Sequence, residues 1–553
     1  MTALTRRMFT LSNLSLGIVM LVTAAVYWRV LAADFVYWDD DVEIYANPHL
    51  KGISPETLRW MFFGTGYVVR YQPLTWLTWS ILYEFFQFRP IGYHLASWLF
   101  HCVDAGLVFW LIRKLLLIVH PPTEQARRRC PPVVCSVLGA LLWALHPLRV
   151  EAVAWVSAFL HLQALFFLLI STLCYLEACS PAATEKRRRL CYWSSVTTFG
   201  ASLLSYPISL GFVIVPALLD IFVLNRLTPG RNAWRDPATR RIGLEKLPFL
   251  GVAFLVLGIT LVLRFNTSKQ WAHPATLTDF GAVHRLMQAF YIWAYYAWRP
   301  LLPFNLSPVY TTLVSFDPFS TPFLASAGWV SAVTLWLVWK RRQWPTLLAS
   351  WICYLVLLVP VLGLTEHPHY PSDRYSLVVG ILWSLLAAGG LAKWTHPPAQ
   401  RWAAILAVSL VTALCAWLTV RQIGIWKDSP TLFTHMIREL GDDPYRADIY
   451  WRLGVARLNQ GQRAEAINSF RQVLEIDPHE VIAHHYLAQI AFNDGNYEVA
   501  RQHYAEVLRT DKHNAEVHRL YAECCFQTAR WDEAQIYFDK AEQLKRLETS
   551  RNP

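Results

Sequence analysis

Read only as apolar and polar positions, the chain changes character near residue 420. Before that point, long apolar runs such as LSLGIVMLVTAAVYW and AAILAVSLVTALCAWL are broken by loops rich in Pro, His and aromatics. After it, apolar residues recur at helical spacing among charges, as in a water-exposed array of amphipathic helices. A run long enough to cross a bilayer can give up its hydration only as a helix that satisfies its own N–H and C=O groups. The runs predict spans at 9–31, 93–117, 133–147, 152–178, 190–204, 206–224, 248–264, 323–339, 345–363, 375–393 and 402–420. That makes an all-α, polytopic membrane unit of about eleven helices, three of them short. The stretch 285–302, RLMQAFYIWAYYAWRPLL, is read as an interfacial or re-entrant helix on the outer side.

The last third repeats at a spacing of 34 residues. Gly461, Gly495 and Ala529 fall in register, as do Ala466, Ala500 and Ala534, and Phe470, Tyr504 and Phe538. Small residues let two antiparallel helices approach, and large ones plug between successive pairs. This period and alternation match the tetratricopeptide repeat. A half-unit, IWKDSPTLFTHMIRELGDDP, precedes it. The expected division is a membrane unit over 1–424, with an outer loop at 34–92, and a repeat solenoid over 425–546. Such arrays offer a concave face to an extended peptide or another protein, or serve as spacers.

Composition narrows the class. Of 553 residues, 54% are apolar and only 16% charged, against about 25% in soluble domains. The net charge of +11 does not point to nucleic acid, because Lys and Arg gather in short loops between spans, at 127–129, 186–189 and 340–342. That is the signature of cytoplasmic loops. Arg6 and Arg7 precede the first run and no small-residue cleavage site follows it, so it reads as a retained span. The ten cysteines show neither disulfide nor zinc spacing. The spans appear free of charge at mid-depth, which argues against a transporter.

With the N-terminus inside, the unusual polar groups collect on the outer face. WDDD holds Asp39, Asp40 and Asp41 a few residues past the first span, with Asp34 and Glu43 as alternative acids. A carboxylate there suits a general base, a metal ligand or a solvated turn. LHPLRVEAVAW brings His146, Arg149 and Glu151, the last two a natural pair. TEHPHYPSDRYS brings His367, His369, Asp373, Arg374 and Tyr375, and the fork of Arg374 suits a phosphate. His94 and His101 lie seven apart on one helical face in an aromatic-rich segment fit for a membrane interface or an isoprenoid chain.

Taken in order, WDDD, NPHL, QPLTWL, GYHLASWLFH, LHPLRVEAVAWV, DRYS and the repeats resemble the bacterial relatives of the transmembrane and tetratricopeptide-repeat-containing O-mannosyltransferases. Those are membrane-embedded glycosyltransferases of the GT-C type. The resemblance implies a catalytic first outer loop with Asp39 and Asp40 as its paired acids. It further implies a polyprenyl-phosphate-linked sugar as donor, its phosphate bound by Arg374 with Arg149 or Arg70, and a protein Ser or Thr hydroxyl as acceptor. Asp41, His94, His146, Glu151, Asp373 and Tyr375 would line the outer cavity. A divalent metal is left open as cofactor. Two positions depart from the relatives: His161 stands where they commonly carry an Arg-Lys-Asp run, and Tyr206 where they often carry Lys before Pro. The resemblance implies a multi-pass protein of the bacterial inner membrane with its repeats in the periplasm. A GT-C transferase acting on a cell-wall or lipid-linked glycan, and a non-catalytic anchor that displays the repeats, are the rival readings.

Overall fold

The computed structural model describes residues 3–64, 70–121, 130–227, 236–266, 275–393 and 398–551. The basic run 127–129 and residues 228–235, 267–274 and 394–397 lie outside the described residues. The chain divides into two compact units, 1–428 and 429–553. No strand occurs among the described residues.

In the first unit, proline sits in the opening turn of helix after helix, including Pro55–Phe63, Pro73–Phe86, Pro90–Val119, Pro132–Ala144 and Pro345–Leu357. There its missing N–H costs nothing and its fixed φ starts the helix. Side chains also cap helix starts: Ser54 Oγ accepts from the Thr57 N–H at 3.1 Å, and Asp236 accepts from Ala238 and Thr239.

Six described helices are long and apolar enough to cross a membrane, or seven if Pro132–Ala144 and Pro147–Ala154, bent by 57°, form one broken span. Eleven is therefore not the count the helices support. The difference has a physical source. Glu185–Ser205 carries three arginines, a lysine and many hydroxyls, and Pro90–Val119 holds Asp104, Arg113 and Lys114. Pro207–Phe222 and Pro345–Val361 are short. Ala282–Trp298 is not among the six either.

Polar side chains join these helices where apolar packing alone would not fix their register. Ser171 Oγ donates to the carbonyl of Ser195 and Ser195 Oγ to that of Ser171, each at 2.8 Å, and Ser202 Oγ donates to Ala164 at 2.6 Å. Such interhelical bonds are the usual adhesive between spans. Asp220 is fully buried and accepts from Tyr175 at 2.7 Å, Lys246 at 2.6 Å and Arg226 at 3.1 Å. Arg226 and Lys246 thus neutralise an interior acid. Asp104 corrects the expectation of uncharged spans more sharply. It is buried in Pro90–Val119, and neither carboxylate oxygen has a partner among the described residues.

The second unit is a run of antiparallel helix pairs: Arg446–Asn459 with Arg463–Ile476, Val481–Asn493 with Tyr497–Thr510, and Ala515–Gln527 with Trp531–Arg551. Ser429–Leu440 precedes them. Gly461, Gly495 and Ala529 all take positive φ, at 75°, 73° and 59°, so the 34-residue register marks one left-handed turn per pair. A Cβ on Gly454 would meet the Phe470 ring at 2.6 Å, which is why small faces large across each pair.

Candidate active site

The first outer loop is held by the middle acid of its triplet. Asp40 is fully buried. Its Oδ2 accepts the Val36 N–H at 2.9 Å, and its Oδ1 accepts the Ser157 N–H at 2.9 Å and the Ser157 hydroxyl at 2.6 Å. Burial pushes this carboxyl up to about 7, while the bonds from Ser157 and Val36 hold it from rising further. Asp40 was expected to share the catalytic pair. Both of its oxygens are occupied and it is not exposed, and it is the pin that fixes the loop to the turn at 156–158.

That pin turns its neighbour outward. Asp39 adopts φ of 69°, a left-handed conformation that Asp tolerates better than most residues. Its side chain is 47% exposed, and its carboxylate lies 3.8 Å from Arg70 Nη2. Asp41 then opens a single wide turn, Asp41–Tyr45, and sits near Tyr45. The same turn carries Glu43 inward. Buried Glu43 accepts from Arg70 Nη1 at 3.1 Å and from Gln72 Nε2 at 3.0 Å. The acid that orients Asp39's cationic partner is therefore Glu43, four residues on.

The other wall is built where the broken span ends. Glu151 lies in the short helix Val150–Ala154, and its two oxygens take the Arg374 side chain and, at 2.9 Å, the Arg374 backbone N–H. The guanidinium of Arg374 stands 4.8 Å from the Trp155 ring and 4.9 Å from that of Tyr375. Trp155 donates its indole N–H to the carbonyl of Trp38 at 2.7 Å. Trp38 directly precedes Asp39, so the acid loop and the DRY turn meet on one indole. Arg70 and Arg374 are close enough to feel each other's charge, and both feel the phenols of Tyr206 and Tyr375. His161 packs between those phenols, with ring centroids 4.8 Å from Tyr206 and 6.0 Å from Tyr375.

The remaining expected residues sit elsewhere. Arg149 does not pair with Glu151 and does not join Arg374. It is buried against the Trp143 ring, donates to Ser376 Oγ at 2.8 Å and fills the space that a side chain at Gly380 would need. Asp373, one residue from Arg374, points the other way and accepts from the Tyr310 hydroxyl at 3.0 Å, which Arg299 also contacts. His146 is buried, with Nε2 2.9 Å from the Pro300 carbonyl and Nδ1 accepting from Leu148. His94 is buried with Nε2 3.4 Å from the Asp34 carbonyl, and His101 with Nε2 3.0 Å from that of Ala144. These three histidines hold backbone. Of the expected lining, Glu151 and Tyr375 contact Arg374. Among the described residues no three His, Cys, Asp or Glu side chains gather as metal ligands.

Sequence reasoning missed Trp38, Gln72 and Trp155 as site components and gave Arg70 and Glu43 only as alternatives. The signal was faint but present: QPLTWL begins two residues after Arg70, and VEAVAW ends on Trp155.

Comparison with known proteins agrees with the motif order. Two models of the tetratricopeptide repeat match residues 451–515 and 491–546. Among curated relatives, Protein O-mannosyl-transferase TMTC4 of Mus musculus is 24% identical over 493 residues, 81% of this chain and 65% of that protein. Protein O-mannosyl-transferase TMTC3 of Mus musculus is 23% identical over 504 residues, 84% of this chain and 51% of that protein. Protein O-mannosyl-transferase TMTC2 of Homo sapiens is 27% identical over 299 residues, 51% of this chain and 33% of that protein. The chain thus spans between a third and two thirds of the length of these relatives. Among solved structures, ArnT from Cupriavidus metallidurans bound to undecaprenyl phosphate matches with a TM-score of 0.37 and 14% identity, covering 86% of this chain and 80% of that one. The chain is related to the repeat-bearing O-mannosyl-transferases along most of its length, and it is a multi-pass membrane protein.

Proposed function

We propose that this chain transfers a hexose, mannose by kinship, from a polyprenyl-phosphate carrier to a Ser or Thr hydroxyl of a protein, at the extracytoplasmic face of a bacterial inner membrane. One observation carries the reading: a half-exposed carboxylate, Asp39, faces Arg70 and directly follows Trp38, whose carbonyl takes the Trp155 indole on which Arg374 stands. Asp39 takes the proton of the acceptor hydroxyl as that oxygen attacks the anomeric carbon. The bond from that carbon to the phosphate oxygen breaks, and the electron pair leaves on the phosphate with inversion at carbon. A phosphate leaving group needs its charge offset rather than a proton, and fixed guanidinium groups in a low-dielectric pocket suit that task. Arg70 fits it well, being only partly covered and held by Glu43. Arg374 is fixed by Glu151 and presents what remains of its fork.

Asp34 donates its backbone N–H to the carbonyl of Lys427 at 2.9 Å, so the chain leaves the membrane unit beside the acid loop. That supports repeats on the same side of the membrane, and a repeat array favours a polypeptide over a glycan acceptor. Transfer of labelled mannose from polyprenyl-phosphate mannose to a Ser/Thr-rich peptide, by the purified chain and its Asp39→Asn variant, tests the reading.

A further inference from the structure

His161 sits in the first turn of Phe159–Ala178, near Arg70 and Arg374. Its Nδ1 lies 3.2 Å from the carbonyl oxygen of Ala158. A carbonyl only accepts, so Nδ1 carries the proton and donates. In the neutral ring Nε2 is then a bare lone pair. It is buried, and it has no partner among the described residues. Buried acceptors in native proteins are nearly always satisfied, and one without a partner this near two guanidinium groups calls for a ligand that donates.

The surroundings say which ligand group that is. A phosphate oxygen is itself an acceptor and would be repelled by a lone pair; it belongs with the guanidinium groups. A polyprenyl tail has no polar hydrogen to offer. Within a glycosyl phosphate lipid, the O–H donors are all on the sugar. The two rings that flank His161, Tyr206 at 4.8 Å and Tyr375 at 6.0 Å between centroids, add flat apolar faces against which the C–H face of a pyranose can pack. Tyr375 is also the ring on which Arg374 stands, so this wall is continuous with the phosphate side of the pocket.

We infer that His161, framed by Tyr206 and Tyr375, reads the sugar of the lipid carrier by accepting a hydrogen bond from one of its hydroxyls through Nε2. The inference rests on the glycosyl-transfer reading above and adds to it a specificity-determining residue. A site that hydrogen-bonds a hydroxyl rejects the analogue that lacks it, because its own buried group is then left unpaired.

The test is direct binding to the full-length protein in lipid nanodiscs, with farnesyl phosphate and mannosyl farnesyl phosphate as probes. The wild type binds the mannosyl lipid at least about 10-fold more tightly than the sugar-free lipid. His161→Phe loses that preference while its affinity for farnesyl phosphate stays within about 3-fold, and His161→Gln, which keeps an acceptor, restores part of it. Monodeoxy mannosyl lipids locate the hydroxyl: one of them loses affinity in the wild type and loses nothing further in His161→Phe. Should His161→Phe keep the wild-type preference, or lose affinity for both lipids equally, the inference is overturned while the donor reading stands. If the wild type itself shows no preference for the mannosyl lipid, both are overturned together.

Discussion

The indole N–H of Trp155 donates to the carbonyl oxygen of Trp38 at 2.7 Å, and the Arg374 guanidinium stands on the same indole, 4.8 Å from its centre. One side chain therefore sets the distance between the acid loop and the DRY turn. Trp155→Phe keeps a ring under the cation and removes the N–H. We expect kcat to fall about 10-fold, corresponding to about 1.4 kcal/mol, with thermal stability changed little more than one hydrogen bond allows. Steady-state transfer assays beside melting curves check this. A larger loss of Tm than of kcat would mean the bond is only structural.

Asp40 has a pH signature. Its folded-state value of about 7 lies above the ordinary 3.8 because burial penalises the charged form. The folded protein therefore holds a proton between about pH 4 and 7 that the unfolded chain has released. The stability this contributes is fully present below about pH 4 and lost as pH rises through about 7. Melting temperature should fall from pH 5 to pH 8, and Asp40→Asn should flatten that slope. At about pH 4–5, where the wild type holds its proton, the variant should be less stable by about 1–3 kcal/mol, since an amide N–H2 would face the donors on Val36 and Ser157, and the gap should shrink as pH rises. An unchanged slope in Asp40→Asn would count against the assignment.

Glu151 and Arg374 form a buried pair with side-chain exposures of 3% and 12%. Removing one partner strands the other, at a cost of about 3–5 kcal/mol. Glu151→Ala and Arg374→Ala should each destabilise by that order, and the double variant by less than their sum. In a double-mutant cycle read by chemical denaturation, additive losses would show that the pair is not coupled.

Lys246, Arg226, Tyr175 and Asp220 form a second buried network that the proposed chemistry does not use. Lys246→Met should lower stability by about 3 kcal/mol by leaving Asp220 under-compensated. The turnover of the folded fraction should stay at the wild-type level. A fall in kcat matching the fall in stability would tie this network to catalysis.

Much of this was legible in the sequence, for identifiable reasons. The repeats announce themselves because each pair needs the same small residue, large plug and left-handed turn every 34 residues. The acid loop, Arg374 and Glu151 stood out as polar groups on one side of apolar spans. What sequence could not give was orientation. The positive φ of Asp39 reverses the chain between two adjacent aspartates, so equal letters took opposite fates, one exposed and one buried. Arg70 reaches Glu43 across 27 residues and Ser157 reaches Asp40 across 117, contacts with no local pattern. Arg149 looked the equal of Arg374, yet a glycine at 380 on another helix gave it a place in the interior. The span count exceeds the six or seven apolar helices described where interhelical Ser bonds replace apolarity, as in Glu185–Ser205.

The central claim is that Asp39, the outward member of the triplet, is the base in a pocket it shares with Arg70 and Arg374. The most direct measurement compares Asp39→Asn with the wild type in single-turnover transfer of labelled mannose from polyprenyl-phosphate mannose, with binding of the same lipid measured in parallel. The account predicts a transfer rate lower by about 10²–10⁴-fold with lipid affinity held within about 3-fold. Transfer by Asp39→Asn at the wild-type rate would contradict it.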